Sequence, residues 1–147
     1  MKKLFVMLLM CVPFAAFAQT TPKFGHVNAQ AIMQELPEFI KARGELEAQS
    51  KQYENDMQAM QAEIQRKGDE YEKNQSTMNA TAKAEAEAAI NQLMQKYQQA
   101  YQDNQQALQK AQQEKLQPIM DKVVTAIRNV GKAGGYVYIM DVSGGIP

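Results

Sequence analysis

The stretch NQSTMNATAK, Asn74 to Lys83, decides how this chain folds. On either side of it, from Pro37 to Pro118, there is no further proline, and Gln, Ala, Glu, Lys and Met, all good helix formers, dominate. Within the stretch Asn, Ser and Thr cluster, and their side chains compete for backbone hydrogen bonds and favour caps and turns. A helix carried through it makes one long rod. A helix broken there makes two arms of nearly equal length, and that predicts an antiparallel hairpin with its tip near residues 76 to 81. At about 1.5 Å per residue each arm would be roughly 55 Å long.

Working outward from the tip, each arm can be tested against a heptad template. Steps of three and four in the first arm pass through Leu46, Ser50, Tyr53, Met57, Met60, Ile64, Lys67, Tyr71, Asn74 and Met78. In the second arm they pass through Ile90, Met94, Tyr97, Tyr101, Asn104, Leu108, Ala111 and Lys115. Both arms therefore carry a coiled-coil seam, but one made mostly of Met and Tyr and interrupted by polar residues. Such arms bury little branched aliphatic surface and are expected to splay.

Further out, the two ends of the chain differ in composition from the arms. KFGHVN, Lys23 to Asn28, reads as a short strand, with Asn28 placed to cap the helix of AQAIMQEL. After Pro118, Ile119, Met120, Val123, Val124, Ile127 and Val130 fall at the spacing of a helix face. Gly131, Gly134 and Gly135 are expected to stop that helix before the strand YVYIMDV, Tyr136 to Val142. The expected fold class is mainly α with a small β part: a helical hairpin over residues 38–117 on a body of residues 23–37 and 118–147. A two-stranded sheet is marginal alone in water, and so small a body makes a poor core. Phe24, Val27, Val123, Val124, Ile127, Tyr136, Tyr138 and Met140 are the residues expected to form the body and to recruit further copies of the chain.

The first eighteen residues, MKKLFVMLLMCVPFAAFA, show the basic start, apolar run and small-residue end of a secretory leader, so the exported chain is expected to begin at Gln19. Lipid attachment at Cys11 is the competing reading, and Met10 before it is the wrong neighbour. Cys11 is the only cysteine, so export leaves no thiol and no disulfide. The 16 basic and 16 acidic residues balance, and loss of Lys2 and Lys3 leaves 14 against 16, a formal charge of −2. That gives no case for nucleic acid as a partner. No stretch after Ala18 is apolar for the roughly 20 residues that cross a bilayer, and mixed charge on the helices limits any membrane association to a peripheral one.

Catalytic chemistry has little to stand on. His26 is the only histidine and has no companion with which to hold a metal or form a triad. Ser143 beside Asp141 lacks a base, and SGGIP, Ser143 to Pro147, lacks the lysine of a phosphate loop. No cofactor is expected. The remaining candidates for a functional surface are Met57, Met60, Ile64, Tyr71, Met78, Met94, Tyr97 and Tyr101 in the arms. Their plain role is seam packing; the sharper one exploits the ability of Met to repack against many apolar sequences.

A leader, the segment KFGHVNAQAIMQELPEF with its LPE at Leu36 to Glu38, a Gln-rich hairpin and the closing GYVYIMDV together resemble the Skp or OmpH family of periplasmic chaperones. The resemblance runs from about Lys23 onward, and the hairpin is its least specific part. It implies a homotrimer with a small β-barrel body, completed by the three subunits, and helical tentacles around a cavity. It also implies ATP-independent holding of unfolded outer-membrane proteins in the periplasm, with no catalytic residues, and a further strand and short helix beyond Pro147. One departure concerns charge. The family's best-studied type has strongly basic arms, whereas here Lys41 to Lys73 holds six basic and eight acidic residues, and Asn74 to Pro118 four of each. A structural coiled-coil adaptor of the cell envelope is the alternative reading.

Overall fold

The computed structural model describes residues 21–144. The expected leader, residues 1–18, and the end of SGGIP lie outside them. In chain order the elements are β1 (Lys23–Val27), α1 (Ala29–Glu35), α2 (Pro37–Asn74), α3 (Ala80–Ala133) and β2 (Tyr136–Asp141). The fold is mainly α with a small β part.

Local chemistry accounts for each boundary. Asn28 is extended and its side chain accepts from the Ala31 amide, opening α1. Leu36 is also extended, at φ −75 and ψ 126, because the ring of the following proline disfavours a helical residue before it. Pro37 then begins α2, where its missing N–H costs nothing. At the far end the Thr77 amide and hydroxyl both donate to the Asn74 carbonyl, and Asn79 caps α3 by accepting from Ala82 at 2.8 Å. The connecting turn occupies residues 75–79, so Ala80 and Thr81 already belong to α3.

The two long helices are antiparallel neighbours. Tyr71 donates to Glu87 near the tip, Lys115 reaches Glu45 at 2.5 Å lower down, and Lys122 pairs with Glu38 at the base. One expectation fails here: no separate helix begins after Pro118. α3 runs through Pro118 as a single element of 54 residues, about 80 Å long. The proline removes the bond to the Glu114 carbonyl, but Glu114 and Pro118 are both exposed, so water can satisfy that oxygen. The second arm and the body helix are therefore one rod.

β1 and β2 pair in parallel, with Phe24 opposite Tyr138, Gly25 opposite Ile139 and His26 opposite Met140. The register slips between Lys23 and Phe24, which leaves Val137 without an opposite residue. Glycines let the strands lie close to α3. A Cβ on Gly131 would come within 2.9 Å of Ile139, and one on Gly134 within 2.6 Å of the Tyr136 ring. Gly131 therefore does not stop the helix as expected; it is a buried part of α3 that makes room for Ile139. Gly134 caps the helix and Gly135, at φ 66, turns the chain into β2.

The core sits where the arms meet the body. Phe39, Ala42, Ile119 and Val123 are its buried apolar residues, with Met33, Leu36 and Leu116 partly buried around them. No residue from Arg43 to Pro118 is buried.

Candidate protein-binding surfaces

Alternation along the strands, thrown out of phase by the slip at Val137, divides the expected body residues into two sets. Val27, Tyr136 and Ile139 face α3 and, with Val123 and Ile127, line an apolar cavity of about 250 Å³ beneath the sheet. Phe24, Tyr138 and Met140 face the other way and are exposed, Tyr138 by 66%. The Phe24 and Tyr138 rings stack at 6.2 Å between centroids and 3° between planes, so they form one flat apolar surface. Val124 is exposed at 44% as well, but on α3 beside Met120, Asp141 and Ser143, whereas its neighbour Val123 is only 5% exposed. Ile40, in the first turn of α2, and Val137, in β2, are also exposed and had not been named among the body residues. Val137 could not have been placed from strand alternation, because the register slip moves it out of phase.

Asp141 and Ser143 act together at the end of β2. The Asp141 carboxylate accepts from the Ser143 hydroxyl at 2.5 Å, the Ser143 amide at 2.9 Å and the Ala29 amide at 3.3 Å. The Ser143 hydroxyl oxygen in turn accepts from the Gln30 amide at 3.0 Å. These bonds, the Ser143 hydroxyl first among them, hold the Asp141 carboxyl below its ordinary range. They fasten the end of β2 to the start of α1. His26 is exposed opposite Met140, and among the described residues no three His, Cys, Asp or Glu side chains gather as a metal site.

In the arms, Met57, Met60, Ile64, Tyr71, Met78 and Tyr97 are half-buried between the helices. Met94 and Tyr101, expected in the seam, are 47% and 53% exposed; Met94 lies outside it, and Tyr101 stands at the edge of a gap between the helices. The inward face of α3 passes from Ile90 through Leu93, Tyr97, Ala100 and Asn104. From Ile90 a step of three reaches Leu93 and a step of four reaches Met94, and both satisfy a heptad template. Packing against α2 selects the branched Leu93 and, one heptad on, the small Ala100. The helices do not close tightly even so. Tyr53, Met57, Tyr97 and Tyr101 surround a gap of about 360 Å³ midway along the arms, and Tyr71, Met78, Ala86 and Ile90 surround one of about 100 Å³ near the tip.

What clasps the arms across these gaps is polar and exposed. Lys115 donates to Glu45 and Lys122 to Glu38, and these bonds hold both carboxyls below their ordinary range. Tyr71 donates to Glu87, which holds the phenol above its ordinary range. Exposed pairs of this kind add little stability.

A small β body with an exposed apolar face, carrying a loose helical hairpin, is the geometry for which relatives can now be compared. Residues 23–146 match the protein family described as "Outer membrane protein (OmpH-like)". The chain belongs to this family. Three relatives named "Chaperone protein Skp" are similar to this OmpH-like chain. That of Yersinia enterocolitica is 26% identical over 121 residues, 82% of this chain and 74% of the relative. That of Photorhabdus luminescens is 25% identical over 130 residues, 88% and 79%. That of Pectobacterium atrosepticum is 24% identical over 129 residues, 88% and 78%. No helix among the described residues of this OmpH-like protein is long and apolar enough to cross a membrane.

Proposed function

We propose that this OmpH-like protein is an ATP-independent periplasmic holdase that binds unfolded outer-membrane proteins and keeps them from aggregating. The observation that carries the reading is a hairpin in which nothing from Arg43 to Pro118 is buried, so its Met and Tyr side chains are half-available to a client. A surface of weak, adaptable contacts suits a partner with no fixed shape, and many such contacts within one cavity supply the affinity. By binding the unfolded chain alone it delays both folding and aggregation, as mass action requires. The names of the relatives support the chaperone role, and the leader-like start supports export to the periplasm.

The working unit is a homotrimer whose bodies join through Phe24, Val124, Tyr138 and Met140 and pair the outer strand edges. A two-stranded sheet with an exposed apolar face is not stable alone, and closed cyclic assembly resolves both problems. Met57, Met60, Ile64, Tyr71, Met78, Met94, Tyr97 and Tyr101 are the client contacts. With near-neutral arms, capture rests on apolar contact and not on charge.

The test is to dilute a urea-unfolded β-barrel protein into buffer with residues 19–147 and follow light scattering at low and high salt. Suppression without ATP that persists at high salt is the expected result, since charge-driven capture is screened beyond about 8 Å at physiological ionic strength. Met57→Gln, Met60→Gln and Met94→Gln together should weaken holding while the assembly stays intact. Unaltered aggregation, with recovery of one folded envelope partner instead, would establish the adaptor role.

A further inference from the structure

On the exposed face of α3 the seven-residue period set by its packing is filled with amides, a choice that packing does not dictate. Asn91, Gln98, Gln105 and Gln112 stand seven apart, Gln95, Gln102 and Gln109 fill the alternation of four and three between them, and all are exposed. A second glutamine row of the same period starts at Gln92. Among the described residues, none of the first row's side-chain amides bonds to another protein group. Midway along it, Tyr101, Gln102, Gln105, Gln106, Gln109 and Gln112 line a shallow groove of about 530 Å³. The exposed Met94 and Tyr101 flank the row one heptad apart.

Solubility alone does not call for amides. The exposed faces of α2 are laced with ion pairs, Lys41 with Glu45 and Arg66 with Glu63 and Glu70, which keep a helix soluble and support it as well. Between Asn91 and Gln113 the only charged residues are Lys96, Asp103 and Lys110. A glutamine side chain ends in an uncharged group that both donates and accepts, the same chemistry as a peptide unit. An unfolded chain leaving water needs partners of that kind for its backbone. Seven helical residues advance about 10.5 Å, close to three residues of extended chain at roughly 3.3 Å each.

We propose that this amide row on α3 reads the backbone of extended, uncharged polypeptide segments, hydrogen-bonding their peptide groups while Met94 and Tyr101 take up apolar side chains. The proposal rests on the holdase reading and names the part of a client that the arm recognises. Recognition of this kind ignores sequence and is insensitive to salt.

The experiment measures fluorescence anisotropy of an end-capped, labelled peptide of alternating Thr and Val, and of the same peptide with alternate backbone nitrogens methylated. Residues 19–147 are compared with a variant combining Gln98→Ala, Gln102→Ala, Gln105→Ala and Gln109→Ala; alanine favours the helix, so the fold is retained. The native chain should bind the unmethylated peptide about tenfold more tightly than the methylated one, and the variant should lose that preference with unchanged helicity and mass. Equal binding of both peptides by the native chain, or equal binding of the unmethylated peptide by both proteins, overturns the proposal. A variant of altered mass in sedimentation also overturns it, because the row is then a contact between copies. The light-scattering assay separates the two readings: failure of the native chain removes the holdase itself, whereas a native chain and variant that hold a β-barrel client equally well remove the amide row alone.

Discussion

The body and the arms are built from the same chain to opposite specifications. In the body, three glycines bring strands and helix within van der Waals contact and a few apolar side chains are buried. Along the arms nothing is buried, and gaps open between the helices. Apolar surface removed from water stabilises in proportion to its area, so the fold is held more firmly in the body than along the arms. The difference also separates two uses of exposed apolar groups. On the body Phe24 and Tyr138 lie together with stacked rings, which suits a fixed partner surface; on the arms the apolar groups are spread along a loosely packed pair of helices, which suits a variable one.

The sharpest way to break this contrast is at two adjacent valines. Val123→Asp places a charge at a buried position and should destabilise the body by about 3 kcal/mol or more, lowering the thermal midpoint seen by circular dichroism. Val124→Asp changes an exposed position and should leave the subunit folded while dissociating the proposed trimer in sedimentation equilibrium. A Val124→Asp protein that sediments as the native chain does would remove Val124 from the proposed subunit contact.

The third prediction concerns local opening. Amide hydrogen exchange should be faster from Tyr71 to Ala86, around the turn, than from Ile119 to Ala133, where α3 lies under the sheet. Equal protection would mean that the arms are as well held as the body.

The smallest effect expected is that of pH on the clasp between the arms. Glu45 and Glu38 titrate below their ordinary range because Lys115 and Lys122 donate to them. Their contribution is fully present above the unfolded carboxyl range and is lost as pH falls through the lowered folded values. Tyr71 runs the other way: its raised phenol contributes below the ordinary tyrosine range and fails as pH rises through the folded value. A distance probe across the base of the arms should therefore lengthen in acid, and one across the tip in alkali. Both changes should be modest, since these groups are exposed.

Much of the molecule follows from the chain alone, because the forces concerned act over a few neighbouring residues. Asn74, Thr77 and Asn79 satisfy backbone groups within four residues of themselves, which is why the turn between the arms was legible. Leu36 before Pro37 and the Gly134–Gly135 exit are local in the same sense. Tertiary structure decided whatever depended on a partner far along the chain. Leu93 and Met94 are equally good heptad positions, and only the surface of α2 chose between them. Whether Pro118 ended a helix turned on its being exposed, where a lost hydrogen bond can be replaced by water. Gly131 reads as a helix stop until Ile139 is seen lying over it. The separation of Val123 from Val124, and of Tyr136 from Tyr138, required the parallel register of two strands more than a hundred residues apart in sequence. The amide row is the converse case: its period is written plainly in the chain, but only the exposure of every member in the fold reveals it as one continuous surface.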